Sequence, residues 1–240
     1  MQLSSGLEAE LAWLLETECT SVLDRVRGLL LDCAEASEYV EGAKPDPLRV
    51  GEVDSRVRFA AALNGTTVEA LQLQVELDRD GPLRMALVRG QRAKLVLPQL
   101  LTWRNLLRRA LGVLAEAGTC GSLNAARSAV TRLVRLLSEL MCVWPREGPP
   151  AGPSSASEGI TRQMQPPLPP AVCVDVSIAG VPPRFFVSAY PSRDAQGAAA
   201  GVHASAALIT LEASLTRAVS AQRLCEDLLT KLRLHDELRR

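Results

Sequence analysis

The sequence predicts an α+β fold: a discontinuous antiparallel four-helix bundle with leucine-heptad seams, plus an antiparallel β-sheet domain. In four separate segments apolar residues recur at alternating steps of three and four, the spacing of one buried helix face. Between those segments the period drops to two, as in strands with one face buried and one face wet. Composition agrees. Of 240 residues, 47% are apolar and only 3% aromatic, so a sizeable core is available and it must be aliphatic.

The first helical seam runs from residue 7 to about 37 and reads Leu15, Cys19, Val22, Val26, Leu29, Cys33 and Ala36. Thirty residues make a helix ~45 Å long at ~1.5 Å per residue. The stretch YVEGAKPDPLRVG then breaks it, because glycine and two prolines do not continue a helix. Val57, Phe59, Ala61 and Leu63 alternate up to Asn64-Gly65, which predicts a two-residue hairpin turn. The return run alternates Leu71, Leu73, Val75 and Leu77 with Gln72, Gln74 and Glu76. Asp80-Gly81-Pro82 turns the chain again, and LRMALVR and AKLVL complete an antiparallel meander over residues 55–97.

Heptads return with Leu100, Trp103, Leu107, Ala110, Leu114 and Ala117. Gly118 and Gly121 mark a tight connection into a second seam of Leu123, Ala126, Val130, Leu133, Leu137, Leu140 and Trp144. The two predict a helical hairpin. After PREGPPAGPSSASE comes GITRQMQPPLPPAVCVDVSI, in which Pro166, Pro167, Pro169 and Pro170 precede the alternating Val172, Val174, Val176 and Ile178. A P-x-x-P ligand needs a basic residue at a fixed offset, and none stands there, so the prolines read as a stiff lead-in to a strand. Gly180-Val181-Pro182-Pro183 turns into RFFVSAY, a partner strand. Leu208, Leu211, Leu215, Ala218, Gln222, Cys225, Leu229 and Leu232 mark the last helix, with Gln222 the one polar residue in its seam.

These readings assign residues 1–40, 98–145 and 205–240 to the bundle and 53–97 and 159–192 to the β-domain. Residues 145–158 and 191–206 are expected to be flexible loops. Both strand groups are expected to join in one sheet region beside the bundle. An exposed Leu or Val seam forgoes ~1.5–3 kcal/mol per side chain, so four such seams should bury one another.

Several function classes find no support in the residues. Net charge is zero, with 27 basic and 27 acidic residues, which gives no global attraction to nucleic acid or an anionic membrane. No window reads as a membrane span, and the acidic start MQLSSGLEAELAWLLETE does not resemble a signal peptide, so a cytoplasmic location is expected. Phosphate-loop, dinucleotide, zinc-protease and serine-elbow motifs do not occur. His203 and His235 have no His or Cys partner at metal spacing. Cys19, Cys33, Cys120, Cys142, Cys173 and Cys225 form no C-x-x-C pair and read as small buried hydrophobes, with a Cys120–His203 nucleophilic pair as the alternative. No catalytic, cofactor-binding or metal-binding residue is assigned. His235-Asp236-Glu237-Leu238 spells a retention signal but Arg239 and Arg240 follow it. With three lysines, Lys44, Lys94 and Lys231, the cationic chemistry falls to arginine. Arg104, Arg108 and Arg109, with Arg127, Arg132 and Arg135 on the next helix, form either a solvated helix face or a dock for an acidic partner.

Four segments, in order, resemble the Rogdi leucine-zipper-like family, which is similar to the second subunit of the RAVE complex. They are LEAELAWLL at residues 7–15 with Val22-Leu23 and Glu35-Ala36-Ser37; Arg104-Asn105 with Ala110 and Leu114; Gly159-Ile160-Thr161-Arg162 with Pro166, Leu168 and Pro169 leading into Val174, Val176 and Ile178; and Leu224-Cys225 with Leu228 and Lys231. The third, G-[IL]-T-R-x-x-x-P-x-L-P, is the most specific. The resemblance implies a helical α-domain beside a β-domain, no enzyme activity and no cofactor. It also implies a role in assembling the vacuolar proton-pumping ATPase (V-ATPase). The implied partners are a large WD-repeat scaffold of the rabconnectin type and the ATPase peripheral-sector subunits, with peripheral recruitment to endosomal or vacuolar membranes. Which surface binds which partner is left unassigned. The alternative reading of the seams alone is a generic coiled-coil scaffold in membrane trafficking or transcription regulation.

Overall fold

In a computed structural model, the described residues are 2–37, 46–49, 56–77, 81–87, 95–117, 122–148, 160, 162–169, 172–191 and 202–238. They combine helices with antiparallel sheets, the α+β class expected. The chain divides into two compact units. One takes Met1–Glu38, Thr102–Val143 and Ala213–Arg240, and the other Tyr39–Leu101 and Trp144–Glu212. No described helix is long and apolar enough to cross a membrane.

The helical unit contains α1 (Gln2–Trp13), α2 (Thr20–Ser37), most of α3 (Pro98–Glu116), α4 (Leu123–Met141) and most of α5 (Ile209–Leu238). A π-helical segment, Leu14–Cys19, joins α1 to α2. Its wider turn changes the expected seam. The buried row is Leu14, Cys19, Leu23, Val26, Leu30 and Cys33, whereas Leu15, Val22 and Leu29 are half-buried and Ala36 is exposed. Cys19, Val26 and Cys33 belong to both rows. The remaining places shift by one residue, back from Leu15 to Leu14 before the π turn and on from Val22 to Leu23 and Leu29 to Leu30 after it, because the sequence offers apolar neighbours at each place and packing chooses between them. Pro98 opens α3, where a missing N–H costs nothing. Ser122 caps α4 with an extended backbone, its hydroxyl accepting from the Ala125 N–H at 3.3 Å.

Side-chain contacts fix several helix pairings. The Cys33 thiol donates to the Ser214 carbonyl at 3.2 Å, and Glu18 meets Lys231. The higher number on one side faces the lower on the other, so the helix running from the π-helical segment through α2 is antiparallel to α5. Arg127 meets Asp236 at 2.7 Å while Gln222 reaches Ser138 at 3.4 Å, which makes α4 antiparallel to α5 as well. Arg132–Glu116 and Arg109–Glu139 set α3 against α4 in the same sense. Arg27 donates to the Leu114 carbonyl at 3.0 Å, joining α2 to α3. Every expected seam residue of α4 from Leu123 to Leu140 is buried, as are Trp103, Leu107, Ala110 and Leu114 of α3. Gln222 sits half-buried at the edge of the α5 seam, bonded to Glu226 at 2.8 Å, and Ala221 takes the buried place.

The second unit holds two sheets, not the single sheet expected. In the first, β1 (Asp46–Arg49), β2 (Val57–Asn64), β3 (Thr67–Leu77), β4 (Gly81–Leu87) and β6 (Met164–Gln165) lie in that order, and β5 (Leu95–Val96) pairs with the start of β3. The second consists of β7 (Val172–Ala179), β8 (Arg184–Pro191) and β9 (Val202–Ala207). All pairings are antiparallel. The Phe59 and Phe185 rings meet at 5.7 Å across the two sheets, an aromatic contact of the kind that joins layers.

Three local expectations are corrected. Residues Asp46–Arg49, inside the expected break, form β1 against Leu63–Ala60 of β2. The hairpin turn is Gly65-Thr66, one residue later than expected. Asn64 still pairs with Thr67, and only glycine at 65 takes positive φ, +55°. Residues 191–206, expected as a flexible loop, include Pro191 at the end of β8 and Val202 to Ala206 of β9. Small residues there are a packing requirement: Ala204 and Ala206 lie opposite Val187 and Phe185. The prolines do lead into β7, with the Val172 N–H bonded to the Pro169 carbonyl at 2.9 Å. Just before them, however, Met164 and Gln165 pair with Leu87 and Ala86 of the first sheet, so the run carries the chain from one sheet to the other.

β7 is an edge strand, and Gln99 closes part of that edge. Its side-chain amide donates to the Ile178 carbonyl at 2.9 Å and accepts from the Ile178 N–H at 3.0 Å, copying a strand neighbour. Substituting Gln99→Leu removes both partners at once. The expected cost is about 1–3 kcal/mol in urea unfolding, with faster hydrogen exchange at Ile178. An unchanged midpoint and unchanged exchange would show that the clamp does not support the edge.

Candidate functional site: an arginine-lined groove

The expected arginine cluster separates into parts. Arg127 is half-buried and held by Asp236, an ion pair between α4 and α5 with a structural role. Arg104 is half-buried and Arg108 exposed on α3. Arg109, Arg132 and Arg135 converge. With Gly112, Val113, Glu116 and Leu136 they line a groove of about 260 Å³ between α3 and α4.

Helical spacing builds this groove. Arg132 and Arg135 are one turn apart on α4, and Arg109, Gly112 and Glu116 follow one face of α3. Gly112 leaves the middle open: no heavy atom beyond its own helix backbone and chain neighbours lies within 4 Å of where a Cβ would stand. Arg132 reaches Glu116 at 3.1 Å, Arg135 reaches Glu139 at 3.6 Å, and Arg109 stands 4.0 Å from Glu139. All five side chains are about half exposed or more, so these pairs contribute little, ~0–1 kcal/mol each, and rearrange at low cost. Guanidinium groups on two facing helices suit planar carboxylates, which they bind in bidentate fashion.

Sequence reasoning missed a second polar arrangement. On one face of the second sheet, Asp175, Ser188 and His203 stand in register on three adjacent strands, and Ser177, Phe186 and Ser205 in the next row. Asp175, Ser177, Ser188 and Ser205 are buried, although alternation placed this face in water. Asp175 accepts from the Val176 N–H at 2.9 Å, Arg184 donates to Ser205 at 2.9 Å, and the His203 ring meets Phe186 at 6.0 Å. Burial raises the Tyr190 pKa, opposed in part by its hydrogen bond with Ser188 and reinforced by Asp175 and Cys173. The row sets the hydroxyl between carboxylate and imidazole. Nucleophilic hydrolysis needs the imidazole in the middle, so the row reads as a satisfied polar layer. Its only sequence signal is polar residues recurring in otherwise mainly apolar strands.

His203, expected in a loop, lies on β9, and His235 is buried near the end of α5. Cys120, Lys44 and Lys94 lie outside the described residues, so the Cys120–His203 pairing does too. Among the described residues no group of three His, Cys, Asp or Glu is placed to hold a metal ion. Cys19, Cys33 and Cys225 are buried as expected, but Cys142 is exposed and Cys173 half-buried. Burial pushes the Cys33 thiol up to about 11, a rise that Arg217 opposes and Asp32 reinforces, and the Cys225 thiol up to about 12, with Glu226 adding to it.

A thiolate, not a thiol, reacts, so reactivity follows these positions. At pH 8 a maleimide followed by peptide mapping should label Cys142 readily and leave Cys33 and Cys225 unlabelled until the chain unfolds. Prompt labelling of Cys33 or Cys225 would contradict their packing. Unfolded thiols ionise near 9.0 and the folded ones only near about 11 and about 12. Their stabilising effect is therefore full below pH 9, and stability falls as pH rises above it.

No family model matches the chain, and no curated protein matches it.

Proposed function

We propose that this chain is a non-catalytic subunit that regulates assembly of the vacuolar proton-pumping ATPase, within a RAVE- or rabconnectin-like complex. The observation that carries the reading is the run Gly159-Ile160-Thr161-Arg162, Pro166, Leu168 and Pro169, leading into Val174, Val176 and Ile178. Three further segments with Rogdi-family resemblance stand around it in family order. The proposed partners are a large WD-repeat scaffold and peripheral-sector subunits of the ATPase. The proposed location is the cytoplasm, with peripheral recruitment to endosomal or vacuolar membranes.

The finer architecture in this reading is one antiparallel four-helix bundle. Contacts of α2 with α5, α5 with α4, α4 with α3, and α3 with α2 support it, each between oppositely running helices where direction is defined. A rigid bundle with polar outer faces suits an adaptor, which must hold docking surfaces at fixed spacing and needs no reactive pocket.

The test is affinity purification of the tagged full chain from cells, in high and low glucose, with mass spectrometry of what is retained. A WD-repeat giant or peripheral-sector subunits should be recovered, and depleting the chain should slow vacuolar or endosomal reacidification. Recovery of neither partner in both conditions, with acidification unchanged, would overturn the proposal.

A further inference from the structure

We infer that the groove between α3 and α4 docks an acidic helical peptide segment of a partner protein. Arg109, Arg132 and Arg135 take its carboxylates, and one aliphatic side chain seats over Gly112, between Val113 and Leu136. Three observations point to this occupant. The groove is lined at its middle by residue 112, which has no side chain, and open space stands where a Cβ would be. Glycine is among the least favourable residues for a helix interior, so its effect here is to create room rather than stability. The charges are also unbalanced. Three guanidiniums face Glu116 and Glu139, and the two carboxylates cannot occupy all the donors of three arginines.

The third observation concerns which anion fits. Glu116 and Glu139 stand among the arginines and would repel a continuous polyanion such as nucleic acid, whose phosphates follow at every nucleotide. A peptide helix presents carboxylates singly, about one turn apart, matching the separation of Arg132 and Arg135. It also brings an apolar side chain for the floor. The exposed ion pairs already present are weak and exchange readily for the incoming carboxylates. The groove carries this chemistry whichever complex the chain serves, so its failure would leave the assembly proposal standing.

The probe is a fluorescein-labelled alanine-based helical peptide with glutamates one turn apart and a central leucine, titrated against the full chain by anisotropy. A peptide with glutamine for every glutamate is the control. The acidic peptide should bind and the neutral one should not. Arg135→Gln and Arg109→Gln should each weaken binding about tenfold, and the effect should shrink as salt rises. Gly112→Leu keeps every charge and fills the groove, and it too should weaken binding about tenfold. Gly112→Ala, which leaves most of the space open, should bind like the native chain and unfold at no lower temperature. Absence of binding would overturn the inference. So would a Gly112→Leu chain that folds and binds normally, because surface charge alone would then explain the affinity. Equal competition by inorganic pyrophosphate would assign the arginines to a simple anion site and overturn the peptide assignment. If Gly112→Leu fails to fold, the two arginine variants decide.

Discussion

Cys33 donates its thiol hydrogen to the carbonyl of Ser214, 181 residues further along the chain. That bond is one point on a longer constraint. Neither α2 nor α5 can leave its apolar row in water, and the two stand far apart in sequence. Leu23, Val26, Leu30 and Cys33 on one helix and Leu215, Ala218, Ala221 and Cys225 on the other are all buried. Burial of such side chains contributes ~1.5–3 kcal/mol apiece for the larger ones. The ends of the chain therefore belong to one helical unit, and the strands that form the second unit are insertions between its helices. Ion pairs at the margins, Glu18–Lys231 and Arg127–Asp236, fix direction and register more than they add stability.

The sheet unit solves a different problem. Its two layers share an aromatic contact, Phe59 on Phe185, in a chain with very few aromatic residues. Ala204 and Ala206 keep β9 thin where it lies beside the bulkier β8, and β9 in turn runs alongside β1 and β2. The opposite face of β7–β9 holds buried Asp175, Ser177, Ser188 and Ser205, each of which needs a polar partner. Such a layer narrows the allowed registers, since a slip by one residue would place those groups among Val176, Ile178 and Phe185. Proline does similar work between sheets: the segment from Pro166 to Pro169 connects Met164 and Gln165 in one sheet to Val172 in the other.

Helix periodicity was legible because four segments repeat it over many turns, and α4 follows its expected seam residue by residue. It was ambiguous in α2, where apolar residues stand side by side at 22–23 and 29–31 and only a π turn upstream settles which are buried. Short strands were the weaker signal. Asp46–Arg49 contains a proline, and four of the six residues of Val202–Ala207 are Ala or Ser, so neither carries a strong strand preference. Pairing with β2 and β8 supplies what the local sequence lacks. The arginine groove was half legible. Its charges were visible as a cluster, but the separation of Arg127 from Arg109, Arg132 and Arg135 depends on Asp236, more than a hundred residues away. Gly112 had no meaning until the facing helix was in place.

The central claim is that α2, with the π-helical turn leading into it, packs against α5 within one chain. Zero-length carbodiimide coupling tests it without any substitution, because Glu18 and Lys231 are in contact and the chain has only three lysines. Digestion of the monomeric product should yield a Glu18–Lys231 isopeptide as a principal cross-link. A link found only in covalent dimers, or none between these residues, would contradict the closed helical unit and favour separate helices that associate between chains.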